Sequence, residues 1–517
     1  MKLPFSFLLA AALTPLAMSG ATCDDLANVI APDMAVTSAT MVAAGPAPGR
    51  GRGPAANLPA YCRVQAVSRP VADSEIHFEV WLPSPETWNG KFEGTGNGGY
   101  SSAMTTADMV QGLTRGFAVA GSDTGHSGGD LKFGAGHIEK INDWGYRAVH
   151  VMTDNAKLLV RDYYGRFPKY SYFTGCSTGG HQALSEAQRY PGDYDGIVAG
   201  DPGNDRVHLN VNFLWAYTAL YKEAGNDIPA AKLPLITKAA MKSCDAADGM
   251  EDGIIADPRS CKFDPATLVC HGADDGSCLT KAQADAVKKI YGGPMNPRTG
   301  RNIMPGFPIG SESGWTGYFV GQKEPARVDF WRLWVFGNPL WDWRNFDFDR
   351  DVAFADTKLA AVNSVDEDLR PFQKLGGKLL MYQGWADPVV PPESTILYYD
   401  KVLEKAAGSK SAGDFVRLFM APGMGHCGGG VGPNTFDSLS ALDHWVDGGA
   451  VPAKIVASHA TAGQVDRTRP LCPYPQTARW NGTGSRDDEA NFSCVAPATS
   501  GAGRAGKPTA AAKGKTK

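Results

Sequence analysis

The run GCSTGG, from Gly175 to Gly180, sets Ser177 in a G-x-S-x-G pattern. Such a serine sits on a sharp strand-to-helix turn that exposes its hydroxyl, and the glycines two residues to either side let the backbone make that turn. A serine hydroxyl attacks only when a base takes its proton, and an imidazole base needs a carboxylate to hold its tautomer and orientation. Asp387 in MYQGWADPVVPP and His426 in LFMAPGMGHCGG follow the serine in the order nucleophile, acid, base, each after a strand-like run. The chemistry such a set performs is acyl transfer. Its oxyanion needs two backbone donors, for which Thr178, directly after the serine, and Gly98 or Gly99 in GTGNGGY are the candidates. A plain tight turn is the commoner use of such glycines.

Other residues compete for these roles. His126 in SDTGHSGGD precedes the serine, and His181 lies one helical turn beyond it, where it flanks the site. Asp201 in AGDPGND also follows a strand, although Asp387 has the better position for the acid. Cys176 stands directly before Ser177 and Cys427 directly after His426; a thiol nucleophile, a metal site and a covalent staple are the three uses such cysteines have. CDAADGMEDGIIADPRSC brings Asp245, Asp248 and Asp252 into one glycine-punctuated loop. Three carboxylates so close suit a hard cation such as Ca²⁺, with a solvated acidic loop as the equal alternative.

The elements that must position these residues alternate. IHFEVWLP, KFEGTG, GFAVAGSDTG, YSYFTGCS and DGIVAGDP read as strands, and AVHVMTDNAKLLVRDYY and HQALSEAQRY carry apolar residues at helical spacing. This predicts a mostly parallel sheet covered on both faces. From about Gly203 to Asp366 the alternation stops and Trp, Phe, Pro and Gly accumulate; KLLMYQGWADP, STILYYDKVLEKA and DFVRLFMAPGMGH then restore it. One α/β domain interrupted by an insertion is the economical account. The expected organisation is a leader over residues 1–21, a first part of the α/β core over 22–203, an inserted lid over 204–366, a second part of the core over 367–495, and a disordered basic tail over 496–517.

The leader, with Lys2, an apolar run and small residues from Ser19 to Ala21, has the build of a secretory signal. A net charge of -4 over 517 residues offers no basic field for nucleic acid or a membrane surface. Ten cysteines in an exported chain default to disulfides, with Cys244 and Cys261, Cys270 and Cys278, and Cys472 and Cys494 as the tight local candidates.

GCSTGGHQALSEAQRYPGDYDGIVAGDP, GWADPVVPP and GMGHC together resemble the tannase and feruloyl esterase family of secreted α/β-hydrolases, from about Cys62 to Cys494. The resemblance implies an α/β-hydrolase fold with a large inserted lid domain, a Ser177, Asp387 and His426 triad, and a disulfide joining Cys176 to Cys427, with Cys23 joined to Cys62. It implies a structural calcium held by the side chains of Asp245, Asp248 and Asp252 and the carbonyls of Met250 and Ile254. The expected substrate is a small ester of an aromatic acid, ferulate-like or gallate, with the half-ester of terephthalate as the alternative. Lid aromatics, Trp315, Phe319, Trp331, Trp334 and Trp341 among them, offer a surface for a planar acyl group, although such residues are more often lid core than substrate contacts. One position departs from the family pattern: His181 stands where Arg or Gln is frequent. The rivals are another serine hydrolase and a non-catalytic, calcium-bound binding protein.

Overall fold

The computed structural model describes residues 20–47, 57–406 and 412–497. The expected leader over 1–21 and the tail from 496 fall almost wholly outside them. Nine strands form one sheet: β1 (Met34–Val42), β2 (Tyr61–Ser68), β3 (Ile76–Pro83), β4 (Lys91–Thr95), β5 (Ala118–Ser122), β6 (Tyr170–Cys176), β7 (Gly196–Gly200), β8 (Lys378–Gly384) and β9 (Val416–Ala421). Their spatial order is β1-β2-β3-β5-β4-β6-β7-β8-β9. From β5 across to β9 every pairing is parallel. The sequence of β5, AVAGS, and of β7, GIVAG, explains the placement: every residue of both is buried, as strands covered on two faces require.

The sheet is mostly parallel, as expected, with β1, β2 and β3 paired antiparallel at one edge. It also begins well before Glu75, where the sequence pattern becomes readable. The β1 segment, MAVTSATMV, is a half-exposed edge strand with polar residues on both faces, so its apolar signal is weak. Two small antiparallel sheets follow β9: β10 (Ile455–Thr461) with β11 (Gln464–Leu471), and β12 (Thr477–Trp480) with β13 (Phe492–Val495).

The longer helices are α1 (Thr106–Thr114), α2 (Ala148–Tyr164), α3 (Thr178–Arg189), α4 (Arg206–Tyr221), α5 (Leu233–Cys244), α6 (Lys281–Gly292), α7 (Arg350–Lys358), α8 (Pro392–Ala406) and α9 (Ser438–Val446). Apolar faces of α2, α3 and α8, including Val149, Leu159, Leu184 and Ile396, cover one face of the sheet together with Phe92, Phe173 and Ile197. Met109 and Leu113 of α1 and Leu442 and Trp445 of α9 cover the other, against Tyr172, Val198 and Leu380. Among the described residues no helix is long and apolar enough to cross a membrane.

Between β7 and β8 the chain leaves the sheet and builds a separate cluster from α4, α5, α6 and several short turns. Trp315, Phe319, Trp331 and Trp334 lie at its centre with at most 1% of their surface exposed, and Tyr100 and Trp144 from before β6 join the same cluster. Large aromatic side chains contribute most when fully buried, which is where the prominent tryptophans of this segment go. Truncating one of them to Ala should cost about 3–5 kcal/mol.

Candidate active site

Ser177 occupies the turn between β6 and α3 with φ 64° and ψ −114°, a left-handed backbone rarely adopted by a residue with a side chain. The flanking glycines allow it. A Cβ on Gly175 would stand 2.5 Å from the Gly179 carbonyl carbon, and one on Gly96 would stand 2.5 Å from the Gly179 Cα. The elbow therefore rests directly on the GTGNGGY loop without side chains between them.

The sequence-predicted Ser177, His426 and Asp387 come together. His426 Nε2 lies 2.7 Å from Ser177 Oγ, and His426 Nδ1 lies 2.8 Å from Asp387 Oδ2. Asp387 is fully buried, and its Oδ1 accepts from the amides of Val389 at 2.7 Å and Val390 at 3.0 Å. These bonds follow from DPVV, whose chain turns around the carboxylate. Burial works against an imidazolium at His426, yet the carboxylates of Asp387 and Asp201 outweigh it and hold its pKa above the ordinary value. Nδ1 facing a carboxylate and Nε2 facing a hydroxyl is the arrangement in which the ring accepts the serine proton.

The oxyanion candidates are tied to each other. Thr178 opens α3, and its hydroxyl donates to the Gly99 carbonyl at 2.8 Å. Gln182, one turn further along α3, accepts from the Asn97 amide at 2.9 Å. Asn97 in turn donates to the Ser122 carbonyl at the end of β5. Gly98 and Gly99 line the same cavity as Ser177 and His426, and a Cβ on either would meet nothing within 4 Å.

That cavity has a volume of about 610 Å³. Tyr318, Arg327 and Val389 border it together with Ser177, as do the bridged Cys176 and Cys427 and polar groups that include Glu93, Asp108, Gln111 and Arg115. Burial pushes Glu93 up to about 7 and Asp108 up to about 6. Of the lid segment only Tyr318 and Arg327 reach the cavity lining; Trp315, Phe319, Trp331, Trp334 and Trp341 do not. Arg327 Nη1 is buried without a hydrogen-bond partner, and the guanidinium lies over the rings of Phe213 and Tyr100 at 4.6 and 5.7 Å. Sequence reading missed both residues, since a segment without periodicity gives no face to a side chain. The one local signal for Arg327 is its setting after Pro325 in a tight turn with φ 60°.

The competing histidines are placed elsewhere. His126 bonds to the Tyr100 carbonyl and stacks on Phe133, and His181 is buried with Nδ1 facing Arg206 Nη2 at 3.3 Å. Arg206, unread in the sequence, is buried on α4 and also donates to Thr178 Oγ1 at 3.1 Å. It lies over Trp144 at 5.1 Å, and burial lowers its pKa to about 10. Asp201 does not replace Asp387 but stands beside it, linked through Gln383.

All ten cysteines are paired: Cys23 with Cys62, Cys176 with Cys427, Cys244 with Cys261, Cys270 with Cys278, and Cys472 with Cys494. Each pair matches the expectation. The second joins the elbow to the histidine turn across a sequence separation of 251.

In the acidic loop the carboxylates face backbone amides. Asp245 accepts from Asp252 and Gly253, Asp248 from Met250, and Asp252 from Ile254. Asp252 also meets Arg469 of β11 at 2.7 Å. Burial raises the Asp248 pKa, and the charges of Asp252 and Asp245 add to the shift. Asp248, Met250, Asp252 and Ile254 border a small cavity of about 50 Å³. Asp245 does not border it, and the carboxylates are engaged with amides and Arg469, so the loop keeps both expectations open, a hard-cation site and a solvated acidic loop.

A family model described as tannase and feruloyl esterase matches residues 62–495. The chain is 39% identical to an uncharacterized esterase of Xanthomonas campestris pv. campestris, over 94% of this chain and 93% of that protein. It is 32% identical to the mono(2-hydroxyethyl) terephthalate hydrolase of Piscinibacter sakaiensis, over 86% of each. Its fold superposes on the crystal structure of feruloyl esterase B from Aspergillus oryzae with a TM-score of 0.85 and 30% identity, covering 92% of this chain and all of that one.

Proposed function

Since the chain belongs to the tannase and feruloyl esterase family and is a carboxylic ester hydrolase, we propose that Ser177, His426 and Asp387 are its catalytic triad and that it releases an aromatic acid from a plant-derived ester. The observation that carries this reading is the unbroken chain of contacts from Ser177 Oγ through the His426 ring to Asp387, at 2.7 and 2.8 Å. His426 Nε2 takes the hydroxyl proton as Oγ attacks the ester carbonyl. Negative charge on the carbonyl oxygen is met by the amides of Thr178 and of Gly98 or Gly99. His426 then gives its proton to the departing alkoxide oxygen, leaving an acyl-Ser177 ester. Water repeats the sequence, with His426 as base, and frees the acid. Asp387 keeps Nδ1 protonated throughout and stabilises the imidazolium. Export to an oxidising compartment is part of the same reading, supported by the five disulfides.

The cavity supports an aromatic acyl group near Tyr318 and Arg327 and a hydroxyl-rich alcohol toward Gln111 and Arg115. A second reading, hydrolysis of a terephthalate half-ester, is favoured by the unpartnered Nη1 of Arg327, a cation suited to a carboxylate on the far end of the ring. A panel of methyl ferulate, methyl caffeate, methyl gallate and mono(2-hydroxyethyl) terephthalate tests both. The first three should release their acids, and Ser177→Ala should reduce turnover by about 10⁴-fold or more. Dominant cleavage of the half-ester, lost in Arg327→Leu, would select the second reading. Activity confined to peptides would discard both, and a wild-type serine unreactive toward an organophosphate probe would revive the binding-protein rival.

A further inference from the structure

Asp201 is the first residue beyond β7, fully buried, and held at φ 37° in the left-handed region that residues with a side chain avoid. In that conformation both oxygens of its carboxylate are engaged. Oδ1 accepts from the Gly384 amide at 2.8 Å and from Gln383 Nε2 at 2.9 Å, and Oδ2 accepts from the Cys427 amide at 3.1 Å. Gln383 shares the same amide nitrogen with Asp387 Oδ2 at 3.0 Å, and its Oε1 accepts from Thr395 Oγ1 at 2.7 Å, which fixes which end of the amide faces the acids. Cys427 is itself left-handed, at φ 59°, and disulfide-bonded to the residue before Ser177. Three strained positions, Ser177, Asp201 and Cys427, thus meet at one point. A metal-capable atom from each of Asp201, Asp387 and His426 lies within 4.8 Å of those of the other two.

An amide side chain would not satisfy this pocket. Asparagine accepts through one oxygen only, so its NH₂ would face either the Cys427 amide or the Gly384 amide, donor against donor. The site is built for a carboxylate, placed beside the acid of the triad and not hydrogen-bonded to the imidazole.

We propose that Asp201 is a positioning residue of the hydrolytic site, a second carboxylate that fixes the His426 and Cys427 turn and stabilises the imidazolium formed as Ser177 attacks. The proposal rests on the triad reading above. Charges facing His426 come from three elements: Asp387 after β8, Asp201 after β7, and Arg327 from the lid segment. Both carboxylates favour the protonated ring, while burial and Arg327 oppose it. Burial first and the Asp387 charge second push Asp201 well above the ordinary carboxylate range, and His426 with the amides of Gly384 and Cys427 offsets only part of this, so the second negative charge is held best when the ring is positive.

The test is the pH profile of kcat/KM for Asp201→Asn, measured below the melting transition of the variant, which the mismatched amide should lower. Removing a charge that favours the imidazolium lowers the His426 pKa, so the acid limb should move down by about one pH unit. Turnover at the optimum should fall about 10- to 100-fold from misplacement of the base, with KM changed less than about twofold. Asp201→Ser, a smaller substitution, replaces it if the amide variant does not fold, with the same expected shift. An acid limb that stays in place while turnover falls would mean that Asp201 only supports the fold, and would overturn the proposal. Ser177→Ala separates the two claims: if it is inactive and the limb of the Asp201 variant is unmoved, the triad stands and the role of Asp201 does not.

Discussion

At the scale of single residues, the proposed oxyanion donors are tied to a cation that lies outside the cavity lining. Arg206 does not line the cavity, yet its guanidinium bonds the hydroxyl of Thr178, which bonds the carbonyl of Gly99. Replacing it with Met should lower kcat about tenfold and leave KM nearly unchanged, because a donor aimed slightly wrong is felt where charge develops. Steady-state kinetics on a methyl ester checks this, and an unaltered kcat would refute it. Ser177, Asp387 and His426 were legible in the sequence because each ends a strand in a glycine- or proline-marked turn. Arg206, Gln383 and Arg327 were not, since an arginine or glutamine reads as a surface residue until the fold encloses it. The tryptophans of the lid take the commoner course for such residues: their size sends them into the core, and Tyr318 reaches the cavity instead.

At the scale of elements, the elbow and the histidine turn are the pieces whose relative position decides the rate. They belong to different strands, β6 and β9, separated in the sheet by β7 and β8, and the Cys176 to Cys427 bond spans that gap. Closing so long a loop stabilises the fold by about 5 kcal/mol at most in the chain-entropy model. Geometry is the sharper consequence. Replacing both cysteines with Ala should reduce kcat more than it raises KM, and full turnover in the folded double variant would reduce the bridge to a stabilising device. The central strands and their helices were readable because their apolar runs are unbroken; α2 runs Ala148–Tyr164, just as its periodicity indicates. The edge strand β1 and the small sheets after β9 were not, because half-exposed strands alternate too weakly to stand out from loop.

At the scale of the molecule, the lid segment is not a loose cover. Its aromatic centre is continuous with Tyr100 and Trp144 of the α/β part, and Arg469 of β11 reaches Asp252 in the acidic loop. A calcium ion held by Asp245, Asp248, Asp252 and the carbonyls of Met250 and Ile254 would therefore brace the lid against the C-terminal strands. If that proposed ion is bound, a chelator should lower the melting temperature by about 5 °C, with recovery on adding Ca²⁺ and no response in Asp248→Ala. A melting curve indifferent to chelator would show that amides and Arg469 suffice. The tether between elbow and histidine turn also imposes an order in time. It cannot close until the chain has been made as far as Cys427 and an oxidant has met both thiols. If turnover depends on the tether as predicted, a chain still among reducing thiols carries a slack base and a muted nucleophile. Oxidation then arms the esterase, and under the proposed export it would do so only outside the cytosol.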